Sequence, residues 1–353
     1  MQILHQNPWQ LMNTTCTTDH DMFFASIYAL PSATWVVALR LHVSACDRTT
    51  AVLLREVVGL MGGGDEGGEV NIDIGNKGEV NLGIEDLIPC GKGKKAMWVR
   101  GMDMLSYSVN SLRMTNLKFN DTKSTRVSQV VRLQMNEDDT HRVLNGCKTR
   151  GIKLCAALVA AGMMAVDKYR LENQKKYGVV TLTDCRSNLH PALSHKHFGS
   201  YHSAILNTHT TEGGETLWEL ANKTYKAFAS SKRNNKHFSY MVDLNFLMCK
   251  AIDNPTLTSS SSLRTSFMSV FEDLVIDDSN DKQTELGLEE YMECASVHGI
   301  GPSIAIFDTI RDGRVDCVCV YPAPLHSREQ MQGLVDDMNT ILVGCDGNVE
   351  WKI

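Results

Sequence analysis

The stretch Leu39-Arg40-Leu41-His42-Val43-Ser44-Ala45-Cys46-Asp47-Arg48 joins two patterns of different period. Before it, Trp35-Val36-Val37-Ala38-Leu39 is a short apolar run of the kind a buried strand needs. After it, Thr49 to Met61 carries apolar residues at 53, 54, 57, 58, 60 and 61, a helical spacing. His42 and Asp47 therefore flank an expected strand-to-helix turn. Asp47 suits the N-cap there, because a carboxylate accepts a backbone N–H at that position and stabilises the helix by about 1 kcal/mol.

Asp21 to Leu30 and Trp35 to Leu41 read as two strands joined by Pro31-Ser32-Ala33-Thr34, a connection short enough for a hairpin. Residues 62–68 hold too much glycine for regular structure. The Glu-Val-Asn pattern of Glu69 to Ile74 recurs in Glu79 to Ile84 and reads as a local insertion or hairpin. A new unit is expected from Thr125, which divides the chain into residues 1–124 and 125–353. It begins with a strand over Ser128 to Gln134 and a helix capped by Asn136, with glycines at 146 and 151 as punctuation. An apolar helix follows over Leu154 to Tyr169, then a strand over Gly178 to Thr183 and helices near 214–230 and 236–251. Ser303 to Arg311 and Arg314 to Tyr321 flank Asp312-Gly313, the preferred two-residue hairpin turn, and a last helix spans about 326–342.

A chain of 353 residues exceeds one average core and suggests two domains. A net charge of −6 argues against nucleic-acid partners, which need clustered excess Lys and Arg. The basic runs Lys92 to Lys95 and Lys232 to Lys236 are short; they read as solvated loops, or as contacts for a phosphate-bearing ligand. No run approaches 18 consecutive apolar residues and no signal-peptide pattern opens the chain, so a cytoplasmic protein with no membrane partner is expected. Eleven scattered cysteines fit reduced thiols better than a disulfide framework.

The motif at His42 to Arg48 resembles the HHxxxDG of chloramphenicol acetyltransferases and peptide-synthetase condensation domains, and the HxxxDG of the BAHD plant acyltransferases. With Asp47 on the motif aspartate, His42 falls on the first His, Val43 on the second, catalytic His, and Arg48 on the Gly. A second resemblance lies in Thr183-Asp184-Cys185-Arg186-Ser187-Asn188-Leu189-His190-Pro191, closed by Phe198-Gly199, which is similar to the BAHD segment of an Arg, a Pro-rich loop and an FGN-like turn. Nearly the whole chain resembles plant condensation-domain-like proteins. The implied fold is α/β of the chloramphenicol-acetyltransferase type: two lobes of mixed, mostly antiparallel sheet with helices, around a central tunnel. The family's longer segment before the motif implies an N-terminally shortened first lobe, whose exposed edge would suit a protein partner.

The implied activity is transfer of an acyl group from acyl-CoA, a co-substrate, to an alcohol or amine, with no resident cofactor. Asp47 would pair with Arg186, and Ser44 or amides near Ala45 would shape the oxyanion region. Val43 has no lone pair with which to act as the base. His42 could replace it through a one-residue bulge that re-aims the side chain, or could be a strand-end histidine with no chemistry. The rival reading is a non-catalytic relative that binds a ligand or protein.

Val43, Ser44, Cys46, Arg48 and His298 are candidate tunnel-lining residues. Cys46 reads as a structural thiol more readily than as a nucleophile, and His298, beside Gly299 and Gly301, as a loop histidine or a ligand contact. His190, His195, His197, His202 and His209 match no metal-ligand spacing, so no metal is expected. Cys317 and Cys319 read as small buried hydrophobes and the five tryptophans as core or interface anchors.

Overall fold

The computed structural model describes residues 23–31, 34–43, 46–48, 82–96, 98–99, 101–102, 114–167, 175–194, 197–254, 256, 262–277 and 287–344. The expected helix over 49–61, the glycine run 62–68 and most of the Glu-Val-Asn repeat lie outside these residues. Contacts divide the chain into two units, residues 1–90 with 185–202 and 279–292, and residues 91–184 with 203–278 and 293–353. The units interleave along the sequence, where the sequence reading drew one boundary after residue 124.

In the smaller unit β1 (Phe23–Ala29) and β2 (Trp35–Leu41) form the antiparallel hairpin expected, with Phe23 opposite Leu41 and Ala29 opposite Trp35. Its turn is closed by Leu30 N–H donating to Thr34 O at 2.8 Å. Tyr28 is buried, but Trp35 is exposed, so the apolar run is only half covered. A single helical turn, α1 (Ile84–Leu87), buries Ile84 and Leu87.

The larger sheet has seven strands in the order β3 (Val127–Gln134), β9 (Arg314–Ala323), β8 (Gly301–Arg311), β6 (Arg264–Phe271), β4 (Lys175–Asp184), β5 (His202–Thr211), with β7 (Val275–Asp277) beside β8. It is mixed, as expected: β3–β9 and β8–β9 run antiparallel, while β4–β6, β6–β8 and β7–β8 run parallel. Parallel neighbours need crossover connections. Between β4 and β6 the chain supplies β5, α4 (Leu217–Arg233), α5 (Lys236–Ser239) and α6 (Met241–Asp253).

The β8–β9 turn follows from composition. Asp312 and Gly313 take φ of 48° and 73°, the left-handed pair that a tight hairpin requires and that Asp-Gly tolerates.

The core is built around α3 (Leu154–Asp167), all fourteen of whose residues are buried, between α4 and α7 (Arg328–Val343) and against the sheet. α2 (Glu137–Thr149) starts as predicted, Asn136 accepting from Asp139 N–H at 2.8 Å, and α4 carries a capping box of Thr216 and Glu219. Gly146 is not punctuation: it lies inside α2, where an added Cβ would stand 2.5 Å from the Trp218 ring. Trp218 in turn takes the Arg150 guanidinium over its face at 4.4 Å. Trp35 and Trp98 are exposed, so of the core and interface roles the sequence suggested the core role does not hold for these two.

One buried carboxylate ties three elements of this unit together. Glu272, just after β6, takes Lys153 Nζ at 2.8 Å and also binds Lys232 Nζ and the Thr183 hydroxyl. Burial opposes its ionisation, and those three donors outweigh burial and hold the acid below its ordinary range. Among the described residues, no single helix is long and apolar enough to cross a membrane.

Candidate active site

Asp47 and Arg186 meet. Arg186 Nη2 lies 2.9 Å from Asp47 Oδ2 and 3.0 Å from Oδ1, with 1% and 6% of the two side chains exposed. The arginine stands on a single 3-10 turn, Arg186–Asn188, immediately after β4 and Cys185. Its Nε donates to His197 O at 3.0 Å and its Nη2 also to Gly199 O at 2.9 Å, so the guanidinium staples the loop it belongs to. Gly199 has φ +139°, and a Cβ there would meet the Tyr201 ring at 2.5 Å, so glycine alone fits this bend. The same segment is fastened elsewhere in the smaller unit, His190 N–H donating to Leu87 O at 2.8 Å and Tyr201 Oη to Leu82 O at 3.1 Å.

Two further donors reach the Asp47 carboxylate. Tyr201 N–H donates to Oδ2 at 2.7 Å, and His202 Nδ1 lies 2.9 Å from the same oxygen. Burial would raise the Asp47 pKa. The hydrogen bond and charge of His202, the Tyr201 N–H and the Arg186 charge outweigh it and keep the acid well below the usual carboxylate range. Asp47 is thus a permanent anion with its lone pairs committed. It can hold the segment after β2 in place and has no proton to exchange near neutral pH.

The other residues of the motif are disposed differently. His42 directly follows β2 and is exposed; its backbone oxygen accepts from Cys46 Sγ at 3.5 Å. Val43 is 72% exposed, Arg48 is buried and Cys46 is half-buried. Ser44 and Ala45 lie outside the described residues.

His298 belongs to the larger unit, where its Nδ1 sits 3.1 Å from Ser128 Oγ. That oxygen also accepts the backbone N–H of Val297 and His298, at 2.8 and 3.2 Å. The loop is completed by buried Arg264, which donates to Val297 O at 3.0 Å, to Pro302 O at 2.6 Å and to Gly299 O.

Of the histidines weighed as metal ligands, His202 is at Asp47, the His197 ring stands edge-on to Tyr201 at 5.5 Å, and His209 is buried. His195 lies outside the described residues. Among the described residues, no three His, Cys, Asp or Glu side chains are grouped as a metal ion would need. Cys317 and Cys319 are buried in β9, burial pushing the Cys319 thiol up to about 12. Sequence reasoning missed Tyr201 and His202 as partners of Asp47; only their place two and three residues after Gly199 hinted that the loop returns to Arg186.

No family profile matches the sequence, and no curated protein matches it. Solved structures do. The trichothecene 15-O-acetyltransferase of Fusarium sporotrichioides superposes with a TM-score of 0.62 at 11% identity, over 91% of this chain and 70% of that one. Polyketide synthase associated protein 5 from Mycobacterium tuberculosis gives 0.59 at 13% identity, over 94% and 79%. The epimerization domain from the third module of tyrocidine synthetase B gives 0.57 at 13%, over 92% and 71%. With its mixed sheet and buried helices, the chain has the α/β fold of condensation domains and chloramphenicol-acetyltransferase-like proteins.

Proposed function

We propose that this protein transfers an acyl group from acyl-CoA to an alcohol or amine acceptor. The observation that supports this reading is the buried Asp47–Arg186 pair, which pins the segment carrying His42 at the end of β2. In the proposed step the His42 imidazole takes the proton of the acceptor O–H or N–H as the heteroatom attacks the thioester carbonyl. The tetrahedral oxyanion then collapses, the C–S bond breaks, and the proton passes from the imidazolium to the CoA thiolate. CoA enters as co-substrate, and backbone amides near Ala45, with Ser44, are proposed to receive the oxyanion.

A second reading is carried by one observation, exposed Val43 standing where the resemblance puts the base. The chain would then be a non-catalytic relative that retains Asp47 and Arg186 to hold the loop and binds a ligand or a protein.

The two readings separate in one assay. Purified protein is incubated with a panel of acyl-CoAs and mixed alcohol and amine acceptors, and products are read by mass spectrometry, because eleven cysteines would confound a thiol-reactive dye. Acylated product that is lost in His42→Ala supports acyl transfer. A folded protein that gives none supports the binding reading.

A further inference from the structure

At the β5 end of the larger sheet a small cavity lies between the strands and the helices, walled by β4, β5 and β6 on one side and by α3 and α4 on the other. All of its residues belong to the larger unit. Most of the wall is apolar, with Val159 from α3, Phe228 from α4 and Val270 from β6. Three polar residues interrupt it, Thr181 of β4, His209 of β5 and Thr224 of α4. The space open to the centre of a water molecule is about 10 Å³.

Two of these polar groups lack a counterpart. His209 is 5% exposed and Thr181 6%, and neither side chain has a hydrogen-bond partner among the described residues. Buried polar groups are rarely left so, because the lost hydration is then uncompensated. Burial, and then the charge of Lys223, push His209 down to about 4, so at pH 7 its ring is neutral and offers one N–H and one lone pair. The Thr181 hydroxyl offers a donor and an acceptor as well. The Thr224 hydroxyl donates to Ala221 O at 2.9 Å and keeps its lone pairs to accept. Two to four polar partners around room for one small molecule are what a buried water requires.

We propose that this cavity is a binding site for one ordered water, which bridges the His209 ring, the Thr181 hydroxyl and the Thr224 oxygen and so ties the end strand β5 to β4 and to α4. The space admits one water and little more. An apolar occupant would leave the same polar groups unsatisfied. A metal ion fits less well. Burial pushes the Cys155 thiol up and keeps it protonated, which leaves His209 as the one metal ligand in the wall, and a metal site needs three or four. The site lies wholly in the larger unit and stands or falls independently of acyl transfer.

The test is a crystal structure of the full chain at a resolution that shows ordered waters, compared with the same structure of three variants. The parent should show one water peak within hydrogen-bonding distance of both His209 and Thr181. Thr181→Ser keeps the hydroxyl and should keep the peak, whereas Thr181→Val with His209→Leu should lose it. Where the double variant does not fold, Thr181→Val alone carries the comparison, since it keeps the shape of the side chain, and its water should be lost or drawn away from residue 181. In urea unfolding the two substitutions should not act independently: the change in the unfolding constant of the double variant should fall short of the product of the single changes by at least about twofold, the low end for groups in one hydrogen-bonded network. No peak near both residues in the parent, a peak that stays in place once the polar groups are gone, or unfolding constants that simply multiply would overturn the proposal.

Discussion

Arg186 meets Asp47 at 2.9 Å across 139 positions of sequence, and both side chains are almost wholly out of water. Removing one partner of such a pair strands the other charge, which typically costs about 3–5 kcal/mol. Arg186→Ala should therefore destabilise the protein by that order in urea unfolding. Asp47→Asn, which keeps an acceptor for the Tyr201 N–H, should cost less. In a double-mutant cycle the combined variant should lose clearly less than the sum, and additive losses would show that the two groups act separately.

Acid should weaken the protein in two stages. His209 is pushed down to about 4 by burial and then by Lys223, and His237 to about 4 by burial and Lys232. The unfolded chain binds protons at these sites below its value near 6.5, so stability falls as pH drops from about 6.5 toward 4, by on the order of 1–3 kcal/mol per histidine. Asp47 is lowered from 3.8, so its contribution persists above that value and is lost below it. Urea unfolding from pH 7 to 3 should show both stages, and His209→Leu should make the first shallower, His237 still contributing, while leaving the second.

Gly146→Ala should destabilise, although alanine is the better helix former by about 1 kcal/mol. The new Cβ would stand 2.5 and 2.6 Å from two ring atoms of Trp218, and forcing that ring aside costs about 1–3 kcal/mol. Adding Trp218→Leu to Gly146→Ala should recover part of the loss in thermal denaturation. No recovery would locate the strain elsewhere.

Val43→His places an imidazole where the resemblance expects the base, at a position exposed enough to accept it without loss of stability. If Val43 marks the missing base, acyl transfer in the mass-spectrometric assay should rise by about 100-fold, the lower end of what a positioned base contributes. An unchanged rate, with activity that still depends on His42, would place the base at His42.

Legibility followed how plainly physical cause was written in the side chains. The β8–β9 hairpin and α3 were readable because Asp312-Gly313 admits few alternatives and because a helix apolar all round must be buried. β5 and β6 were not read. Their inward positions include Ser203 and Thr211, Ser266 and Ser269, which are buried yet polar and so blur the alternation a strand is recognised by. The Asp47–Arg186 pair was legible only through the resemblance, since nothing in the spacing of residues 139 apart foretells a contact. His202 and the cavity that Thr181 shares with His209 were hidden for the same reason: they are products of the fold.

The Asp47 carboxylate also has a consequence in time. Its donors, at 186, 201 and 202, return from the far side of a loop of well over a hundred residues, and closing such a loop is slow because its entropy is lost before any contact repays it. This knot therefore forms late, after the hairpins and helices that bring its parts near. An interaction absent from the transition state changes the rate of opening and leaves the rate of formation alone. The loss of Asp47 would accordingly be felt as faster unfolding, a shortened lifetime of the folded state, before it was felt as failure to fold.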